Sequence, residues 1–491
     1  MKKFHELLKK EQIFHQGNNR DIKNITNNTK NVQEDSLFIA IKGTRFDGHL
    51  FLEEAIKKGA NSIVIQEKNI ATKIKNRHPN INIGLVENTR IAQAEIASKF
   101  FDNPSNSLKV IGITGTNGKT SVSNILAQYL EKLGHPTGII GTIAYKLGEK
   151  TYDTGKRTTP DAIEWQHLLY KMKEDGAEFI SAEISSHAVD QYRIHSTKFE
   201  GGIFTNLSQD HLDYHKTIQN YFQTKKRFFE YIAQSNSDAL LSINIDDPFG
   251  RKIYEELKGK VNIITYGQSE DSMFKIKNPE SGLKGINFQY QYKGKTKTIF
   301  SKLRGDFNIY NIASAFSFLI EYGFDDEELI DISRDLKPIK GRFEIVQDNG
   351  FLVVNDYAHT PDALEKILSS LNKIKKNRII VVFGAGGDRD KTKRPEMGKI
   401  AQKLADIVIL TSDNPRSEDP ERIIEDIKKG MDSKKNIFEI IDREEAIEKA
   451  IKMAHKDDIV LIAGKGHETY QIIGDKTYHF DDSDIAKRYL S

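Results

Sequence analysis

Short runs of β-branched and aliphatic residues recur along this chain. Most are followed by a stretch whose apolar positions fall three and four apart, which predicts alternating strands and helices. In residues 1 to about 88 the runs Ser36–Ile41 and Ser62–Ile65 flank a helical stretch, Leu50–Gly59, and make a small α/β unit. A helix over Ile91–Phe101 leads through Asn103 and Pro104 into the apolar run Leu108–Ile111. Between about 89 and 338 the buried-strand candidates are Val110–Thr114, Gly138–Ile140, Phe179–Ile184, Gly202–Thr205 and Ala239–Ile245. Their alternation with helices argues for a parallel sheet covered by helices. The polar, lysine-rich piece Phe274–Lys302 alternates with period two and predicts an antiparallel hairpin appended to that sheet. Beyond a turn at Lys337–Gly341 come Leu352–Asn355, Arg378–Phe383, Ile407–Thr411 and Ile459–Ala463, each followed by a helix pattern. This last region reads as an open, doubly wound sheet with polar loops at its strand ends. The expected fold is therefore α/β in three domains, spanning 1–88, 89–338 and 339–491.

Composition bounds the reading without deciding it. At 491 residues the chain is too long for one core. With 38% hydrophobic and 29% charged residues it reads as a soluble globular protein, and its lack of cysteine fits a reducing cytoplasm. No apolar run approaches the ~20 residues of a membrane span, and Met1–Leu8 lacks an apolar signal core. Cysteine is absent, which excludes disulfides and thiolate chemistry. Lysine plus arginine (73) and aspartate plus glutamate (70) are interspersed at a net +3, so no nucleic-acid surface is indicated.

The chemistry is concentrated in the turns. Gly112-Ile-Thr-Gly-Thr-Asn-Gly-Lys-Thr-Ser121 lies between an apolar strand and a helix, the setting in which backbone N–H groups and a helix dipole hold a polyphosphate. Lys119 would reach the outer phosphates and the Thr120 hydroxyl would ligate Mg²⁺; the strict pattern has a glycine where this chain has Ile113. Glu183 closes an apolar strand, where a phosphate-loop protein places a second metal contact. His211 and His215 sit four apart, with Asp210 just before the first and Asp213 between them, but no third ligand stands at a zinc spacing. One imidazole beside a phosphate-held Mg²⁺ suits them better, with His215 at the surface or behind the metal. Lys225, Lys226 and Arg227 fall in a helix whose charged run reads as a solvated face. Asn308 is expected in a loop reading an adenine edge, and Arg342 in a loop meeting a phosphate. Four polar loops follow strands of the last region: Asn355–Pro361, Gly384–Asp390, Ser412–Ser417 and Ala463–Glu468. In them Arg389 and Arg416 ask for carboxylates while Asp413 and Glu468 ask for an ammonium, so a zwitterion with an extra acid fits.

Taken in order, these motifs resemble those of the Mur ligases. The resemblance is carried by Thr114–Thr120, Glu183–His187, Asn206–His215, Asp356–Pro361, Gly386–Lys391, Asp413–Arg416 and Gly464–Glu468, and runs nearly end to end. It is closest to the members that add the third peptide residue to UDP-MurNAc-L-Ala-D-Glu, which implies an ATP-dependent, ADP-forming amide ligase with Mg²⁺. The N-terminal domain would then bind the UDP end, the central one ATP and the last one the amino acid. The family's phosphate loop tolerates the missing glycine. ATP would be held by Gly115, Thr116, Asn117, Gly118, Lys119, Thr120 and Ser121, with Asn308, Arg342 and Asp356.

By the same resemblance Lys225 becomes carbamylated and holds Mg²⁺ with Thr120, Glu183 and His211. Thr29, Thr44, Arg45 and Phe46 would touch the uridine end, and Thr158, Thr159, Ser185, Gln191 and Arg193 the muramoyl-peptide. The family's usual Asp-Ser-Arg is Asn28-Thr-Lys30 here, and its usual Asn before the paired threonines is Arg157. Arg389, Asp413, Asn414, Pro415, Arg416, Gly464 and Glu468 would take the diamino acid. Asp413-Asn-Pro-Arg416 is similar to the pattern of the meso-diaminopimelate enzymes, since Arg416 can grip a distal carboxylate where lysine would bring a like charge. Meso-lanthionine satisfies the same arginine; L-lysine, or a folylpolyglutamate-type ligation, is the alternative. A nucleotide switch without synthetic chemistry would need none of the carboxyl-terminal loops. A monomer acting on small molecules is expected, with closure of its domains.

Overall fold

The structure is a computed structural model that describes residues 1–43, 46–153, 157–432 and 436–490. Its contacts divide the chain into two compact units, Met1–Gly112 with His135–Glu200, and Ile113–Gly134 with Gly201–Ser491. Mixed α/β layers build both.

In the first unit a five-stranded sheet runs in the order Ile13–His15, Asn82–Leu85, Ala60–Ile65, Ser36–Ile39, Asn24–Thr26. All neighbours are parallel except the first pair. Residues of alternating parity fill two apolar clusters, one around Leu37, Ile39 and Val64 and the other around Phe38, Ile63 and Ile65. That is the signature of strands buried on both faces. The same unit also pairs Thr137–Ile140 with Phe179–Glu183 in parallel and adds the antiparallel strands Tyr145–Leu147 and Lys150–Asp153.

In the second unit Phe199–Phe204, Leu240–Asn244, Asn262–Gly267 and Phe274–Gly282 pair in parallel. The last of these then continues into antiparallel Gly285–Tyr292 and Lys295–Ser301. The piece expected to be a hairpin is thus a three-stranded meander. Gly282 to Gly285 and Tyr292 to Lys295 each close a tight turn, so the period-two pattern runs through two turns instead of one. The helix Lys119–Lys132 buries Val122, Ile125, Leu126, Tyr129 and Leu130. Each such side chain contributes roughly 1.5–3 kcal/mol.

The carboxyl-terminal sheet has the order Glu344–Gln347, Leu352–Asp356, Ile459–Ala463, Ile379–Phe383, Ile407–Leu410, Ile437–Glu439, parallel but for its first pair. Alternate strand residues feed clusters on opposite faces, Val381 and Leu461 on one and Val382 and Ile462 on the other. This is the open doubly wound sheet expected from the sequence, and its polar loops leave the carboxyl ends of the strands. Among the described residues no helix is long and apolar enough to cross a membrane.

Candidate active site

The glycine turn joins the strand Lys109–Thr114 to the helix Lys119–Lys132. Ile113, where the strict motif has glycine, lies inside the strand and is fully buried, so nothing at that position calls for a glycine. Gly115 does need to be glycine: a Cβ there would stand 1.9 Å from Thr205 Oγ1. The loop is stitched to the segment after the strand Phe199–Phe204. Thr116 N donates to Asn206 O at 2.8 Å, Asn117 N to Asn206 Oδ1 at 3.1 Å, and Thr205 Oγ1 to Asn117 O at 2.7 Å. Lys119 Nζ rests on the carbonyls of Gly115 and Thr116 at 3.0 and 2.8 Å. From the other side Asn117 Nδ2 donates to Asp362 Oδ2 at 2.6 Å, in the first turn of the helix Pro361–Ile374.

Arg342 NH2 donates to the Thr120 hydroxyl at 3.1 Å, and its guanidinium stacks 4.3 Å above the Tyr357 ring. Its buried Nε has no hydrogen-bond partner among the described residues. Asp356, which ends the strand Leu352–Asp356, accepts from Phe343 N at 2.7 Å; burial pushes its carboxyl up to about 6 even with Arg342 nearby. Asn308 is not in a loop. It stands in the first turn of the helix Phe307–Tyr322 and accepts from Asn311 Nδ2 at 2.8 Å.

The charged run Lys225–Arg227 splits by side. Lys226 pairs with Glu256 at 2.6 Å, but Lys225 is only 1% exposed. Lys225 Nζ donates to Gly115 O at 2.7 Å and Thr114 Oγ1 at 3.3 Å, and lies 4.8 Å over the Tyr221 ring. Burial first, and then the Lys119 cation, holds this amine well below the usual lysine range. His211 follows in the left-handed region (φ 56°), its Nε2 3.3 Å from Asp210 Oδ2. Burial raises Asp210, yet His211, Lys393 and His359 together hold its carboxyl below the ordinary value. His215, expected at the surface or behind a metal, is buried against Tyr221 at 5.1 Å between ring centroids.

In the first unit Glu183 is 1% exposed and accepts from Thr142 N at 2.8 Å and Thr142 Oγ1 at 2.9 Å. Thr158 meets Thr142 Oγ1 at 3.1 Å, Thr159 Oγ1 donates to Glu183 O at 2.8 Å, and Ser185 N donates to Thr159 Oγ1 at 3.0 Å. Arg193 donates to Thr159 O and, through NH2, to Gln191 Oε1, both at 2.8 Å. Six residues singled out from separate motifs therefore form one cluster. Thr29 opens a short 3₁₀ turn and Phe46 is exposed, while Thr44 and Arg45 lie outside the described residues. Asp47, His49 and Glu67 bring three ligand atoms together, but both ring nitrogens of His49 are already engaged, by Asp47 Oδ1 and Gln66 N.

The carboxyl-terminal loops converge as expected. Asn414 Nδ2 donates to Glu468 Oε2 at 2.8 Å, and Lys465 Nζ stands 3.3 Å from both Asn414 Oδ1 and Glu468 Oε2. Burial raises Asp413, but Lys465 and Arg443 bring it below the ordinary value, whereas burial and Asp413 push Glu468 up. Arg416 NH1 donates to Gly387 O at 2.7 Å. Arg389 is exposed, its NH1 on Asp388 O at 3.1 Å.

Three family models match in chain order: Mur ligase family, catalytic domain, over residues 21–100; Mur ligase middle domain over 113–319; and Mur ligase, glutamate ligase domain, over 341–466. The chain belongs to the Mur ligase family. Among similar Mur ligases, the UDP-N-acetylmuramoyl-L-alanyl-D-glutamate–2,6-diaminopimelate ligase of Aquifex aeolicus (strain VF5) is 46% identical, covering 96% of this chain and 94% of its own. A solved structure of an enzyme of that name superposes with a TM-score of 0.68 at 32% identity, covering 96% of this chain and 95% of its own. The MurF ligase from Thermotoga maritima in complex with ADP shares the fold, with a TM-score of 0.62 at 23% identity over 90% of this chain and 94% of its own.

For a Mur ligase, the sequence motifs gave no role to several groups that the structure brings together. Asn311 faces Gly118, and Asp210 lies among His211, His359 and Lys393. Asn311 stands one helical turn after Asn308, a pairing hidden as long as the segment is read as a loop. His359 lay in the Asp356–Pro361 motif without an assigned role, and Lys393, the first residue of the helix Lys393–Leu404, carried no signal, because the two come from separate segments of the last region.

Proposed function

We propose that this enzyme joins meso-2,6-diaminopimelate to UDP-MurNAc-L-Ala-D-Glu, forming an amide at the expense of ATP and releasing ADP and phosphate in the cytoplasm. The observation that carries the reading is the convergence of Asp413, Asn414, Arg416, Lys465 and Glu468 at one end of the carboxyl-terminal sheet, in a chain whose relatives bear that activity in their names. The mixed charge suits a zwitterion: Asp413 and Glu468 for an ammonium, Arg416 for the distal carboxylate.

Residues 89–338 would hold ATP, 1–88 the UDP end, and 339–491 the amino acid. The N–H groups opening the helix Lys119–Lys132 and the Lys119 ammonium would cradle the phosphates, with Arg342 and Asp356 beside them and Asn308 toward the adenine. The D-glutamate side-chain carboxylate then attacks the γ-phosphorus as ADP departs. The amine of the diamino acid attacks the resulting acyl phosphate, loses a proton and expels phosphate. Positioning and charge neutralisation supply most of the acceleration. Thr159, Ser185, Gln191 and Arg193, already in mutual contact, would orient the peptide, while Thr29 and Phe46 serve the uridine end.

The hydroxyl of Thr120 and the imidazole of His211 are groups that a divalent cation takes, and so, in the other unit, is the buried carboxylate of Glu183. Lys225 does not suit it as an ammonium, which has no lone pair. The buried, readily neutral amine is instead the form that adds carbon dioxide and releases a proton, giving an anionic carbamate. Mg²⁺, when bound, would neutralise phosphate charge.

Phosphate release from ATP, measured with each substrate omitted in turn, tests the reading. Release is expected only with the nucleotide-peptide and the diamino acid together; release independent of the amino acid would overturn it. Offered diaminopimelate, lanthionine and lysine, the enzyme should use the first two and reject lysine. A preference for lysine would reassign Arg416.

A further inference from the structure

Arg416 adopts a backbone conformation that arginine seldom takes, with φ at 52°. Its neighbours on both sides of the peptide come from a polar hairpin, Tyr470–Ile473 with Lys476–His479, which lies outside the four polar loops. Arg416 N donates to Ile472 O at 3.1 Å, and Gly474 N donates to Arg416 O at 2.7 Å, so residues 472 to 474 clasp the residue from either end. Two more bonds fix the start of the same loop. The buried Gln471 donates from Nε2 to Asp413 O at 2.9 Å, and Ile472 N donates to Asn414 Oδ1 at 2.9 Å. The second bond uses the Asn414 amide oxygen, which orients its Nδ2 toward Glu468. The hairpin turns at Gly474, where φ is 60° and the residue is exposed. Asp413, Asn414 and Arg416 are thus each anchored by the hairpin, through one side-chain amide and three backbone contacts.

We propose that the Tyr470–His479 hairpin is the positioning element of the amino-acid site, with Gln471 and Gly474 as its positioning residues. It sets where the Arg416 guanidinium and the Asn414 amide point without touching the ligand. The inference rests on the reading of Asp413–Arg416 as the diamino-acid loop. Selectivity for a distal carboxylate then depends on a strap outside the site, because a strained residue relaxes when the bonds that determine it are removed.

The test uses the full-length enzyme with Gln471→Met, which keeps size and removes the donor, and Gly474→Pro, which deletes the N–H and forbids the positive φ on an exposed turn. Each is expected to raise KM for diaminopimelate about tenfold, the value of one to two lost hydrogen bonds. KM for ATP and for the nucleotide-peptide should stay within about twofold, and kcat at saturation within about threefold. The preference for diaminopimelate over lysine should fall in parallel. Equal loss toward all three substrates, or an unchanged diaminopimelate KM, overturns the proposal. If Gln471→Met does not fold, Gly474→Pro decides alone, since its turn lies outside the packed core. Arg416→Ala separates the two levels: if it leaves the diaminopimelate KM unchanged, the site reading itself fails. If it raises that KM while both hairpin variants do not, only the hairpin's role fails.

Discussion

His359 and His467 lie against Tyr357, with ring centroids 4.5 and 4.9 Å away, and His467 keeps a buried Nδ1 without a hydrogen-bond partner among the described residues. Burial, reinforced by nearby cations, pushes His359 down to about 4 and His467 down to about 3 from the ordinary 6.5. The unfolded chain takes up these protons first. Their stabilising effect is therefore complete above about pH 6.5 and is lost as pH falls toward 4, each histidine giving up about 1.4 kcal/mol for every pH unit crossed. Asp356 works oppositely: its folded value of about 6 lies above 3.8, so acid favours its folded form between those limits. Two imidazoles outweigh one carboxyl. Thermal midpoints should fall between pH 6.5 and 4.5, and His467→Gln should fall less steeply; parallel curves would rule this account out. Lys225 shows how a residue can hide in a sequence. It sits among Tyr221, Phe222, Phe228 and Phe229 on the apolar stripe of its helix, and all five are buried. The stripe was readable, but the neighbouring Lys226 and Arg227 made the run look like a solvated face.

At the scale of elements, legibility followed burial. Strands buried on both faces, such as Phe179–Glu183 and Ile459–Ala463, stood out as continuous apolar runs within a residue or two of their ends. Short edge strands did not: Ile13–His15 is half-buried throughout, and Lys476–His479 is wholly exposed. The hairpin that anchors Arg416 was missed for that reason. The phosphate-loop turn was legible in type but not in its fit, because Gly115 answers to Thr205, ninety residues away in sequence. Gly115→Ala should therefore push the loop off the strand end and weaken ATP binding about tenfold or more, read by nucleotide titration. Thr205→Ala, which removes the clashing oxygen, should restore part of that loss in the double variant. Strictly additive losses would place the cause in the backbone angle of Gly115 and not in the contact.

At the scale of the molecule, the three regions seen in the sequence and the two units seen in the contacts are cut at different points. The chain passes between units at Gly112–Ile113, Gly134–His135 and Glu200–Gly201. Hydrophobic pattern marks where elements lie but not which sheet or helix each one covers, so these crossings leave no trace in it. They do have a consequence for folding. The helix Phe307–Tyr322 is buried along nearly its whole length, and the Lys119–Lys132 helix lies against it, with Tyr129 6.3 Å from Phe316 between ring centroids. Tyr129 also bonds Ser333 at 2.6 Å. A fragment of residues 201–338 lacks that cover and would expose Ile312, Phe316 and their neighbours, an apolar surface that invites association. A fragment of residues 339–491 keeps its whole six-stranded sheet and both apolar clusters, which draw on one outside residue, the partly buried Phe307. It should melt cooperatively with little binding of a hydrophobic dye, while 201–338 binds the dye and melts without a sharp transition. Cooperative melting of 201–338 alone would show that the phosphate-loop helix is dispensable to the core it covers.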